Sequence, residues 1–265
     1  MEKLYSIERK SEILKLLEQN GRIGVNELST LFHSSRETIR RDLGELEEKG
    51  LLKRTHGGAV FDSKFLSTTP EFPVGVREIQ RFKEKNAICK SAAAFIKNGE
   101  SIFVDNSSTC LYLIRYIPMD FQITLITNSI KLLMESLESE HPNLMIVCLG
   151  GFFNSSNLSI YGTISQKNVA DFYPNKSFMS CAGINLPDQL TDSSLLEVDT
   201  KRSMIERSQE VFILADHTKF DRSGPYFLSD YSSIDYLITD QKASSDQFTV
   251  LENVGVQVVR TQLSQ

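Results

Sequence analysis

The sequence predicts an α/β protein in two parts, a small head of three helices and a hairpin, then a larger domain built on a mostly parallel sheet. Three observations predict it. Before residue 50, apolar residues recur at helical spacing in three short segments, and a segment of hairpin type with a Gly-Gly turn follows. Beyond residue 100, short runs of buried-strand type alternate with helical segments, the order of βα units. Between these stretches, residues 62–78 carry Pro70, Pro73 and several Ser and Thr without periodicity, which is linker composition. The expected divisions are 1–61, 62–78 and 79–265.

Residues 7–18 give the first expected helix, with Ile13, Leu14 and Leu17 on one face and Asn20-Gly21 as its stop. Residues 26–32 give the second, with Asn26 as cap and Leu28, Leu31 and Phe32 as its apolar stripe. Ser34-Ser35-Arg36-Glu37 reads as a capping box that opens a third helix to about Lys49, buried along Ile39, Leu43 and Leu46 and stopped by Gly50. Residues 51–61 then form a hairpin turning near Gly57-Gly58.

Three short helices and a hairpin make a winged helix-turn-helix, and a generic three-helix bundle is the plainer alternative. The third helix favours the first reading. Arg36, Thr38, Arg40 and Arg41 crowd its first half, while Glu45, Glu47 and Glu48 occupy the second. The helix dipole prefers the reverse. Arginines placed against that preference point to an external anion, and the N-terminal residues of such a helix contact base edges in DNA.

In the larger domain a helix is expected over 79–97 and a strand over Ser101–Val104. The next expected elements are a helix over 109–117, a strand over 123–126, a helix capped by Asn128-Ser129, and a strand over 144–149 ending in Gly150-Gly151. A helix over 163–172, a strand over 177–181 and a helix over 195–208 precede strands over 211–215, 236–239 and 256–259. Ligands of such sheets lie outside the carboxyl ends of the strands.

Charge supports the division. The chain of 265 residues has a formal net charge of −5, which excludes a uniformly basic nucleic-acid coat. Residues 1–60 hold 11 Lys/Arg against 10 Asp/Glu, and the remainder 18 against 24, so only the head is weakly basic. Cys89, Cys110, Cys148 and Cys181 are scattered without metal-ligand spacing and read as buried, reduced thiols. No signal segment or membrane span is evident, so a soluble, cytoplasmic chain without membrane contact is expected. No cofactor, metal ligand or catalytic residue is assigned.

Ser35-Arg36-Glu37-Thr38-Ile39-Arg40-Arg41-Asp42-Leu43, followed by Gly50-Leu51-Leu52-Lys53-Arg54-Thr55-His56-Gly57-Gly58-Ala59, resembles the DNA-binding signature of the DeoR family of bacterial transcriptional regulators. The resemblance continues through Ser101–Val104 and Asp105, Thr127-Asn128-Ser129, Leu149-Gly150-Gly151, Glu197 with Lys201-Arg202, Leu214-Ala215-Asp216 and Lys219-Phe220 to Ile238-Thr239-Asp240 and Gly255-Val256. It implies a homo-oligomer, dimer or tetramer, that binds double-stranded operator DNA, usually as a repressor of sugar or nucleoside catabolism. It also implies a phosphorylated sugar as effector and a sensor domain similar in fold to ribose-5-phosphate isomerases and coenzyme A transferases. The chain departs from the family where Asn106-Ser107-Ser108-Thr109 lacks the usual glycine. It departs again at Ser180-Cys181-Ala182-Gly183-Ile184-Asn185, where two family acids are replaced by Ala182 and Asn185.

The DNA-binding candidates are Ser35, Arg36, Thr38, Arg40 and Arg41 on the helix, and Lys53, Arg54, His56, Gly57 and Gly58 on the wing. For the effector, Asp105 can accept from sugar hydroxyls, and Ser107, Ser108 and Thr109 offer hydroxyls and free N–H groups at a helix start. An ordinary N-cap is the alternative there, and again at Asn128-Ser129. Gly150 and Gly151 permit close backbone approach or merely turn the chain, and Gly183 keeps the family glycine in its altered motif. Lys201, Arg202 and Lys219 are candidate phosphate cations, with surface pairing as probable for Arg202. Asp216-His217 is only a weak catalytic signal. The competing function is a sugar-phosphate isomerase-like enzyme with an appended head. Enolisation needs a positioned carboxylate base, and Ala182 and Asn185 stand where that acid would be sought.

Overall fold

The computed structural model describes residues 4–61, 72–185 and 189–262, the side chains of 245–247 excepted. It divides the chain into two units, Met1–Lys83 and Glu84–Gln265. The expected linker falls mostly outside the described residues, but its last part holds a one-turn helix.

In the first unit, α1 (Ser6–Asn20), α2 (Val25–Leu31) and α3 (Arg36–Glu48) enclose a core of Ile13, Leu17, Leu28, Ile39, Leu43 and Leu46. Gly21 at φ 72° ends α1 as the Asn-Gly pair predicts. Two caps differ from expectation. Gly24, not Asn26, stands at the start of α2, because Arg22–Gly24 is itself a strand, β1, that brings the chain in extended. Ser35, not Ser34, caps α3: its Oγ accepts from the Thr38 N–H at 3.1 Å. The position that closes the box is therefore Thr38 and not Glu37, whereas Ser34 turns back to the Phe32 carbonyl.

The hairpin is β2 (Lys53–Thr55) and β3 (Gly58–Val60), paired Lys53↔Val60 and Thr55↔Gly58. Its turn is His56-Gly57, one residue before the expected Gly57-Gly58. Gly58 belongs to the central strand of the β1-β3-β2 sheet, and a Cβ there would lie 2.0 Å from the Ile23 carbonyl oxygen. Glycine at 58 therefore lets β1 lie against the hairpin. In the 72–78 stretch, α4 (Val74–Arg77) buries Val76 with this core.

Helix α5 runs Phe82–Ala93, shorter at both ends than 79–97 predicts, and the division between units falls within it. The second unit contains a seven-stranded, wholly parallel sheet in the order β15-β14-β12-β9-β4-β5-β6. Its strands are β4 (Ser101–Val104), β5 (Ile123–Thr127), β6 (Leu144–Cys148), β9 (Lys176–Met179), β12 (Glu210–Leu214), β14 (Tyr236–Asp240) and β15 (Gln257–Thr261). The inner strands are almost continuously buried, as a parallel sheet requires. Crossovers carry α6 (Ile130–Ser139), α7 (Thr163–Ala170), α8 (Leu195–Arg207) and α9 (Ser245–Asn253), and a 3-10 segment, Cys110–Tyr116, replaces the helix expected over 109–117.

The sequence reading lacks two small sheets. One is the hairpin of β7 (Phe152–Asn154) and β8 (Ser159–Tyr161), and the other is β10 (Gly183–Asn185), β11 (Gln189–Asp192) and β13 (Tyr226–Asp230). These strands are three to five residues long and partly polar, so they carry little alternation of their own.

The chain fills the β4-β5-β6 side outward, then returns to place β9 beside β4 and continues the other way. The strand order therefore reverses between β4 and β9, the position where open α/β sheets bind ligands. Among the described residues, no helix is long and apolar enough to cross a membrane.

Candidate functional site

On the head, α1 holds α3 by charge. Arg9 grips Asp42 with two bonds, Nε to Oδ2 at 2.5 Å and Nη2 to Oδ1 at 3.1 Å, both residues buried. Lys10 pairs with Glu45, whose carboxyl is lowered chiefly by that hydrogen bond. With one face so fixed, the other presents Arg36, Arg40 and Arg41 to solvent, and Thr38 bonds the Ser35 hydroxyl at 2.9 Å. Ser35 and Thr38 thus form the cap, while the arginines are available outward. Lys53, Arg54, His56 and Gly57 are exposed on the wing, and Gly58 is buried in its sheet. The wing is tied to the end of α3 by the Arg54 N–H, which donates to Glu47 Oε1 at 2.7 Å. Among the described residues, the Arg36, Arg40 and Arg54 guanidinium groups have no acid partner.

In the second unit, the loop after β4 lies at the strand-order reversal, and its residues Asp105, Ser107, Ser108 and Thr109 are all buried. Asp105 is committed internally: Oδ1 accepts from the Ser107 N–H and Oδ2 from the Ser180 N–H, each at 3.0 Å. Oδ2 also pairs with Lys201 at 3.1 Å. The Ser107 hydroxyl accepts from the Cys110 N–H at 3.2 Å, while Thr109, the residue at the N-cap of the 3-10 segment, makes no side-chain cap bond. The N–H groups of Ser108 and Thr109 have no acceptor among the described residues. Beside them, Lys85 of α5, itself buried, donates to the Ser108 hydroxyl at 3.0 Å. Sequence reasoning missed Lys85, which sits among the helical residues of 79–97 with no sign that it faces a loop 23 residues away.

Lys201 differs from its expected role as a phosphate cation. It is buried and saturated by Asp192 at 2.7 Å, Asp105 and the Ser180 carbonyl. Burial works to lower its pKa, but Asp192, then Asp105, and Glu197 beyond them, outweigh it and hold the ammonium well above its ordinary value. Its charge fixes the β4 loop to β9 and β11. Arg202 pairs with Asp199 at 2.9 Å on the surface, the alternative allowed for it. Lys219 has no side-chain partner among the described residues, and its charge is felt at Cys181 beside the end of β9.

Glu197, one helical turn before Lys201, is the other buried charge that α8 contributes. Its carboxylate accepts from the amides of Asn106 at 2.9 Å, Asn154 at 3.3 Å and Asn157 at 3.1 Å, and from the Ser159 hydroxyl. These bonds tie the β7-β8 hairpin to the β4 loop. Asn128 donates to the Ile160 carbonyl at 3.1 Å, and its own buried oxygen has no partner among the described residues, while Ser129 caps α6 through the Leu132 N–H.

Gly151, at φ 147°, lets the Tyr161 carbonyl approach to 2.5 Å of where a Cβ would be. Gly183 likewise lies under the Arg222 carbonyl, within 2.1 Å of that position. Both glycines serve close backbone packing in the structure. The His217 backbone N–H donates to Asp240 Oδ2 at 2.8 Å, and the His217 Nδ1 lies 2.9 Å from the same oxygen.

The thiols correct one expectation. Cys89, Cys110 and Cys181 are buried, and burial pushes Cys89 and Cys181 up to about 12, but Cys148 is exposed at the end of the edge strand β6. Among the described residues, no cluster of His, Cys, Asp and Glu has the makings of a metal site. A cavity of about 290 Å³, lined by Ile114, Arg115, Met119, Glu138 and Ser139, lies at the end of α6 remote from its Ser129 cap.

Comparison with known proteins covers both units. Residues 9–65 match the model of the DeoR-like helix-turn-helix domain, and residues 80–241 that of the DeoR C terminal sensor domain. The "Uncharacterized HTH-type transcriptional regulator YulB" of Bacillus subtilis is 33% identical over 97% of this chain and 97% of its own. The "Glycerol-3-phosphate regulon repressor" of Escherichia coli is 29% identical over 95% of this chain and 97% of its own. Of solved structures, ribose 5-phosphate isomerase A of Neisseria gonorrhoeae overlaps 52% of this chain and 53% of its own at 15% identity and a TM-score of 0.38.

Proposed function

The chain belongs to the DeoR family of helix-turn-helix transcriptional regulators, and from that membership we propose that it represses a sugar or nucleoside catabolic operon and is relieved by a phosphorylated sugar. It works in the cytoplasm as a homo-oligomer, dimer or tetramer. Arg36, Arg40 and Arg41 read or position the operator, the wing residues Lys53, Arg54 and His56 add backbone contacts, and paired half-sites supply specificity. The relation to a protein named as a glycerol-3-phosphate regulon repressor supports both the sign of control and an anionic effector.

One observation carries the effector reading. At the reversal between β4 and β9, the Ser108 and Thr109 N–H groups await an acceptor beside the buried Lys85 ammonium. N–H groups at a turn into a helical segment, with a cation alongside, favour a phosphate. Asp105, Ser107, Asn128, Ser129, Gly150, Gly151 and Gly183 shape the surroundings, Lys201 holds the loop in place, and Lys219 adds a second positive charge. The ligand is bound and returned unchanged.

The test is calorimetric titration of a panel of sugar phosphates and their neutral parents against wild type, Lys85→Gln and Ser108→Ala. Phosphates are expected to bind at least about tenfold more tightly than neutral parents, a difference of about 1.4 kcal/mol, and both variants to narrow that gap. Equal binding of the neutral sugars, or wild-type behaviour of both variants, would remove the anion site.

A further inference from the structure

We propose that Gly44 is the seat of the wing arginine, so that Arg54 completes the cationic face of α3. This rests on the DNA-reading role given above to α3 and the wing. Gly44 lies inside α3, four residues beyond Arg40 and eight beyond Arg36, and hence on nearly the same face. Glycine is among the poorest residues for a helix interior, and the backbone gives no reason for it here. Gly44 is not among the glycines with positive φ. A Cβ would meet a single neighbour, Arg54 Nη1, at 3.6 Å, an ordinary contact. What the missing side chain leaves free is the strip of helix on which the Arg54 guanidinium rests.

The placement has a consequence for the field of the helix. Past Arg41 the side chains of α3 turn acidic at Glu45, Glu47 and Glu48. Without help, the positive face of α3 ends at its second turn. Arg54 extends it by a turn from another element. Its backbone is fixed by pairing with Ala59 and by the bond to Glu47, so the long side chain has one place to lie. Glu47 grips only the Arg54 N–H, and the guanidinium, without an acid partner among the described residues, is left for an external phosphate. A residue at 44 longer than alanine would occupy the seat and turn Arg54 away.

The experiment is a double-variant cycle in the full chain: Gly44→Leu, Arg54→Ala and both together. The probe is a duplex that the wild-type protein selects from a random-sequence DNA pool, titrated over a salt series. Each single variant is expected to weaken binding about five- to tenfold and to lower the slope of log K against log salt by about 0.9, one phosphate contact. The double variant is expected to add no further loss, while the melting temperature of Gly44→Leu stays at or above wild type because leucine is the better helix former. Should Gly44→Leu melt lower, Gly44→Gln carries the same expectations. Wild-type binding by a folded Gly44 variant, or losses that multiply in the double variant, would overturn the proposal while leaving the recognition helix standing. Arg54→Ala without effect would also overturn it, and if Arg40→Ala were silent too, the DNA-reading assignment itself would fall.

Discussion

The two units treat positive charge in opposite ways. On α3 of the head, Arg36 and Arg40 are exposed and have no acid partner among the described residues. At the strand ends of the second unit, Lys201 is buried, with Asp192 and Asp105 both within 3.1 Å. An exposed guanidinium keeps its hydration and can exchange it for phosphate. A buried ammonium has lost its water and stands only because its partners are in place. The head contains both kinds: Arg9, paired with Asp42, fixes the helix that carries Arg36 and Arg40 outward. Charge that is matched internally builds the scaffold, and charge left unmatched stays exposed, where an external anion can reach it. Lysine or arginine content alone does not separate the two.

The comparison breaks most sharply at Lys201. Lys201→Met strands two carboxylates in the interior and is expected to destabilise the second unit by about 3–5 kcal/mol, read by chemical denaturation. The sign with pH follows from its raised pKa. The contribution of Lys201 is complete below the ordinary lysine value, about 10.4, and is lost only as pH rises through the higher folded value. Wild type and variant should therefore differ by a constant margin from about pH 6 to 9 in this respect and converge in strong alkali. A stability loss under about 1 kcal/mol would show that the Lys201 ammonium does not hold the β4 loop in place.

Asp42→Ala tests the same rule in the head, where it leaves Arg9 buried and unpaired. A loss of up to about 3 kcal/mol is expected, at the low end for a broken buried pair because the Leu4 carbonyl still accepts from Arg9. Operator binding should fall with folding and recover when the protein is measured well below its melting point.

Arg40→Ala should behave in the contrary way. Stability should stay within about 0.5 kcal/mol of wild type, while discrimination between operator and random duplex falls by about 1–3 kcal/mol. A variant that melted early and bound normally would reverse the comparison. The smallest effect belongs to the cap. Ser35→Ala removes the acceptor for the Thr38 N–H and should lower stability by about 1 kcal/mol, with binding weakened only in proportion to the fraying of the first turn of α3. Hydrogen exchange at the Thr38 amide would show it directly.

Much of the fold could be read without coordinates because its signals are local. The apolar stripe Ile39-Leu43-Leu46, the glycine stops at Gly21 and Gly50 and the Ser129 cap act over one helical turn, and each does in the structure what its spacing implies. The cap of α3 moved by one residue because Ser34 and Ser35 are chemically equal, and only the backbone extended into Ser35 decides between them. The short strands β7, β8, β10, β11 and β13 lacked a readable pattern because they are three to five residues long and partly polar, and β13 finds its partner β11 only across a long stretch of chain.

The candidate site was legible as a set of residues and not as a set of roles. The amino-acid order by itself determined the head, the helix α3 with its exposed arginines, and the loops that follow the sheet strands. Those depend on periodicity and on contacts a few residues apart. Only the tertiary structure decided which charges are matched. It sent Lys201 to Asp105 and Asp192, brought Lys85 to Ser108, and gathered three asparagines around Glu197, with Asn106 and Glu197 91 residues apart. The physical reason is that pairing of buried charge is set by strand order, and the reversal between β4 and β9 is a long-range property that no local segment of the chain encodes.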